Sequence, residues 1–220
     1  MLKRIALLLL LAAGLPWALQ AQSSAPKWMP DSVYYLMPRF SQGYVFLRGQ
    51  MPAQGKMNIC AVDNTLRVLD DTGTELSSGE DNILKVVLDN VTFLRSDDVF
   101  YRLYPAKADV GVALYRKVRI IRDQKEAAYG GTSQTSSVKE YSTMYADGVT
   151  YNLNDDKEYP FEITETINIY KGDTVFPLTK KSLRKIFASR KADVDAWFQA
   201  GHSMPRTVEE TLEMLSLWAE

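Results

Sequence analysis

One cysteine and one histidine in 220 residues exclude more chemistry than any motif in this chain supports. With Cys60 alone no intramolecular disulfide can form, so stability has to come from burial. Cys60 lies in the apolar run Ile59–Cys60–Ala61–Val62 and reads as a buried, inert thiol. One His and one Cys cannot furnish a zinc site of the usual His/Cys composition. A Ser-His-Asp triad would have to use His202, which sits in the linker-like Gly201–His202–Ser203–Met204–Pro205. No Gly-x-Ser-x-Gly elbow presents a serine to it. The sequence therefore assigns no catalytic, cofactor-binding or metal-ligating residue.

Long apolar runs are scarce as well. The one continuous run, Ile5–Leu15, has eleven residues, too few at about 1.5 Å each to cross a bilayer as a helix. Lys3 and Arg4 precede it and Pro16 ends it, the pattern of a secretory signal peptide over residues 1–21. Cleavage is expected after Ala21, with Ala18 as the alternative. Without a cysteine at that point, lipid anchoring there is excluded, and no later segment is apolar enough for a membrane span. The chain is thus expected to be exported, to the periplasm, the outer membrane surface or the medium.

Charge of one sign is also missing. Two of the 26 Lys and Arg lie in the leader, leaving 24 against 27 Asp and Glu, a net charge of −3 on the remaining 199 residues. That balance argues against a nucleic-acid or anionic-membrane binder. An apolar content of 46% is that of a globular chain.

What is present is strand-like. After a Ser/Pro-containing lead-in at 22–32, residues 33–178 read as a β-rich domain. Its candidate strands start with Val33–Met37, Tyr44–Arg48, Lys56–Val62 and Thr65–Leu69. Ile83–Leu88, Val91–Leu94 and Val99–Tyr104 follow, broken by Gly, Pro and Asp turns. Val110–Ile121 is the longest. Val112, Leu114, Val118 and Ile120 share one of its faces, interrupted by Arg116, with Tyr115, Lys117 and Arg119 opposite. Residues 123–137 carry no periodicity and read as a long loop. Hairpins are expected at Ala146–Asp147–Gly148 and Lys171–Gly172–Asp173.

From Thr179 the spacing turns helical, through Leu183, Ile186, Phe187, Val194, Trp197 and Phe198. Ser189 is placed as an N-cap near a break at 188. Thr207 with Glu210 forms a capping box before the stripe Val208, Leu212, Leu215 and Trp218. The predicted fold is α+β: a mostly antiparallel meander or small barrel, then two or three C-terminal helices over 179–220 that pack on it.

Paired carboxylates at Asp70–Asp71, Asp97–Asp98 and Asp155–Asp156 sit in predicted turns, where Asp serves local hydrogen bonding. A hydrolase would need distant acids to converge, Asp71 or Asp98 with Glu162 or Glu165. Asn152–Asp156 starts like a calcium loop, but Lys157 stands where Gly is required and Ile163 where Glu is required. Tyr129, Gly130, Gly131, Thr132 and Ser133 are glycine-rich without the Walker lysine, which leaves a partner-contact loop as their functional reading. Lys180, Lys181, Arg184 and Lys185, followed by Arg190 and Lys191, form a candidate basic docking face, or a solvated one.

Several segments also carry a family resemblance: Phe40–Ser41–Gln42–Gly43–Tyr44–Val45 with Asn58, Lys125–Gly130 and its Ser/Thr tail, and Lys180–Leu183 through Trp197–Phe198. Together they resemble a family of exported Bacteroidota-type envelope proteins for which no activity is defined. The resemblance spans most of the mature chain and implies a Gram-negative envelope setting. The chain departs from the family in carrying Asn58–Ile59–Cys60 where Asn-Tyr-Asn is usual. The leading functional expectation is a non-catalytic binding or interaction module whose partner is another envelope protein or a surface glycan. A structural subunit of an envelope assembly and a carboxylate-based hydrolase acting on glycan or peptidoglycan are the alternatives.

Overall fold

The computed structural model describes residues 25–78, 82–107, 109–121, 143–146, 149–152 and 159–219. The expected leader, the loop at 123–137 with Tyr129–Ser133, and Asp155–Asp156 lie outside these residues. A single helical turn, α1 (Asp31–Tyr34), precedes β1 (Ser41–Leu47), β2 (Ala53–Ile59), β3 (Leu66–Leu69) and β4 (Glu75–Ser78). Then come β5 (Ile83–Leu88), β6 (Val91–Ser96), β7 (Val99–Lys107) and β8 (Val110–Ile120). The hairpin β9 (Thr143–Ala146) and β10 (Val149–Asn152) stands apart from the main sheet. Last are β11 (Phe161–Lys171), β12 (Thr174–Pro177), α2 (Lys180–Ile186), α3 (Lys191–Gln199) and α4 (Val208–Ser216).

Ten strands form one antiparallel sheet in the order β12-β11-β8-β7-β6-β5-β1-β2-β3-β4. The fold is α+β, a meander that ends in helices, as expected. Both hairpins read from the sequence are present, with Gly172 at φ 57° in the second. Tyr35 packs with Val118 and Ile120 of β8 while its hydroxyl donates to Glu75 of β4, seven strands away in the sheet order, so the sheet curls and has an inner face.

Turn chemistry accounts for two of the acidic pairs. Ser96 pairs with Val99, so Asp97 and Asp98 are the two-residue loop between β6 and β7, both left-handed at φ 49° and 60°. Asp70 Oδ1 accepts from the backbone N–H groups of Thr72 and Thr74.

Two local expectations need correction. Val33–Met37 is not a strand: Pro30 O accepts from Val33 N and Tyr34 N, closing the turn α1, and only Tyr35 bridges to Cys60. Met29 in the lead-in is buried together with Tyr34 and Tyr35. Asn58, itself fully buried, ties this segment to the sheet. Its Oδ1 accepts from Met37 N and Ile59 N, and its Nδ2 donates to Met37 O. Ser189 is not an N-cap either. It lies inside a 3-10 turn, Ala188–Arg190, whereas capping requires an extended residue. The caps that do form are Thr179 on α2 and Thr207 on α4, and Glu210 reaches back to Arg206 N at 2.9 Å.

The alternation along β8 is used by two separate covers. Val110 and Val112 are buried beneath the helices with Leu183, Ile186, Leu215 and Trp218, so both helical stripes face the core. Val118 and Ile120 are buried beneath the N-terminal segment with Met29, Tyr34, Tyr35 and Cys60. Between them, Leu114 and Arg116 are only half-buried. Neither cover reaches this part of the inner face.

Candidate functional site: a groove between two covers

Register puts one row of side chains across four strands: Phe93 on β6, Arg102 on β7, Leu114 on β8 and Ile167 on β11. Residues directly opposite in adjacent strands share a face, so this row is the floor of the gap. The adjoining position holds Arg116 on β8, whose Nε donates to Glu165 Oε1 on β11 at 2.9 Å. Leu36 from the N-terminal segment lines one side and Arg206, Thr207, Val208 and Glu209 at the start of α4 line another. The space enclosed is about 510 Å³, within the range of small-ligand sites.

Arg102 is the unusual member. It is half-buried in mid-face, with its guanidinium carbon 5.1 Å from the centroid of the Tyr104 ring. Among the described residues neither Arg102 nor Arg206 has a carboxylate partner, while Arg116 does. Sequence reading flagged Arg116 as an interruption but missed Arg102. The same signal was there, since Phe100, Arg102 and Tyr104 alternate onto one face of β7 with a cation in the middle.

The basic face is partly consumed by the fold. Lys180 and Arg184 both reach Asp195 on α3, at 3.1 and 3.3 Å, which fastens α2 to α3. Lys185 Nζ lies 4.9 Å from the centroid of the Phe176 ring. Lys181 is exposed, and with Lys185 and Lys191 it lines a shallow hollow of about 550 Å³. His202 is exposed and stacks on Trp197, centroids 4.7 Å apart. The proposed acid partners do not share one cavity. Glu165 lines the groove, Asp98 lines a different hollow beside the β6–β7 turn, and Glu162 pairs with Arg119. Among the described residues no cluster of His, Cys, Asp and Glu could hold a metal. No described helix is long and apolar enough to cross a membrane.

Cys60 is buried as expected, and burial, with Asp63 adding to it, pushes its thiol up to about 12. Burial likewise raises the neighbouring Tyr34 hydroxyl. Native Cys60 should resist alkylation at pH 8, measured by mass spectrometry, and react promptly once unfolded. Raised groups stabilise the fold while protonated in both states. That contribution is lost as pH climbs from about 9, where the unfolded thiol ionises, through about 12. Denaturation at alkaline pH should therefore show Cys60→Ala with a flatter stability profile than the parent.

No family model, curated protein or solved structure matches this chain. The functional reading rests on the groove and the sequence.

Proposed function

We propose that the protein is an exported, non-catalytic envelope module that binds its ligand in the groove between its two covers. The observation that carries this reading is the stretch of inner sheet face that neither described cover reaches. There the apolar floor of Phe93, Leu114 and Ile167 carries Arg102, Arg116 and Glu165. A few polar groups converging over an apolar floor in a cavity of this size is the ordinary form of a ligand site. Export is supported by the Lys3–Arg4 flank, the short run Ile5–Leu15 and the family resemblance.

Filling the groove tests the reading. Leu114→Trp puts a large ring on its floor while leaving the buried Val112 and Val118 in place. Incubated with a cell-envelope extract and examined by native mass spectrometry, the parent should retain a defined added mass that Leu114→Trp loses. Equal retention by both proteins, with circular dichroism unchanged, would place binding elsewhere. The hydrolase alternative has one observation of its own, that Glu165 and Glu209 line the same groove. Glycan turnover abolished by Glu165→Gln and by Glu209→Gln would favour it.

A further inference from the structure

We infer that the groove binds a small organic monocarboxylate, its acid group held by Arg102 and its apolar body lying over Leu114 and Ile167. This deepens the reading above and rests on the groove being the binding site. Arg102 stands half-buried between Phe93 and Leu114 on the neighbouring strands, where a cation loses much of its hydration. Among the described residues no carboxylate of the chain compensates it. Its one described partner is the Tyr104 ring, 5.1 Å from the guanidinium carbon, a cation–π contact that uses none of its N–H donors on an acceptor oxygen. A guanidinium edge carries paired N–H donors matched to the two oxygens of a carboxylate.

Charge sets the valence. Arg102, Arg116 and Arg206 line the groove against Glu165 and Glu209, an excess of one positive charge. A monoanion balances it. A phosphate monoester, at about −1.5 to −2 near neutral pH, overfills it. In the same row as Arg102 lie Leu114 and Ile167, so the part of the ligand that covers them is apolar.

The test is an NMR titration of the purified protein with 4-phenylbutyrate, its neutral isostere 4-phenylbutanamide, and phenyl phosphate. The acid should shift the methyl signals of Leu114 and Ile167 and saturate, with the amide weaker by about tenfold or more. Arg102→Gln should reduce the acid to the affinity of the amide, and Arg102→Lys should fall between, keeping charge but losing the fork. Arg119→Gln, on the opposite face of β8, should bind like the parent. Equal affinity for acid and amide, unmoved by Arg102→Gln, would overturn the anion assignment and leave the groove standing. Tighter binding of phenyl phosphate would overturn the valence. Shifts confined to the basic face of α2, or none with any probe, would overturn the inference; retention by the parent and loss by Leu114→Trp then judges the groove separately.

Discussion

Replacing Arg67 with methionine should destabilise the protein by about 3–5 kcal/mol, the range for stripping the cation from a buried ion network. Arg67 on β3 is held between two carboxylates beneath the N-terminal segment. Its Nη2 pairs with Asp63 Oδ2, and its Nε lies 3.7 Å from Glu75 Oε1. The side chains of Arg67 and Asp63 are 13% and 16% exposed and that of Glu75 only 3%, so solvent screens little of the charge. Glu75 Oε2 also accepts from the Tyr35 hydroxyl at 2.7 Å, which links the network to the segment that covers the inner face. Methionine removes the cation that both carboxylates face, in a site that water reaches poorly. Urea denaturation measures the loss, and adding Glu75→Gln to Arg67→Met should recover part of it, because the two changes touch one network. A loss below about 1 kcal/mol would mean that the network behaves like an exposed surface pair.

Gly111→Ala should be nearly as damaging, at about 3 kcal/mol, the upper end of overpacking costs. Gly111 on β8 pairs with Pro105 on β7 just where the register shifts. A Cβ there would lie 2.2 Å from the Tyr104 carbonyl oxygen, 2.7 Å from a Tyr170 ring carbon and 3.0 Å from Pro105 Cα. Two of these three atoms belong to the backbone of the partner strand, which cannot step aside without opening the ladder. Gly55→Ala is the matched control. Its nearest atoms are side-chain carbons at 3.5 and 3.6 Å, ordinary contacts, so the change should be neutral or slightly stabilising through the unfolded state. Thermal unfolding of the two variants side by side reads the contrast.

Strands were legible where one face is buried and the other wet. β5 from Lys85 to Leu88 and β8 from Lys117 to Ile120 show it most clearly, buried positions alternating with more exposed ones. The helical stripes were legible for the same reason. Val33–Met37 misled because β-branched and aromatic residues mark burial as much as strand, and here Tyr34 is buried from a helical turn and Tyr35 from a single bridge beyond it. The basic run hid its true role because Asp195, which takes up Lys180 and Arg184, lies on the next helix. The groove was the least legible feature. It exists where two covers stop short, and its sides come from Leu36 and Arg206, near opposite ends of the chain. The hints to it were arginines that break an apolar face, Arg116 on β8 and Arg102 on β7.

The central claim, that the protein binds through this groove, is tested most directly by photo-crosslinking in the cell. A benzophenone side chain would be placed in turn at Arg206 on the groove rim, Arg119 on the opposite sheet face and Lys181 on the basic helix. The account predicts an adduct of one defined mass from position 206, absent from 119 and 181. Adducts from 181 or 119 with none from 206 would contradict it and move the binding surface out of the groove.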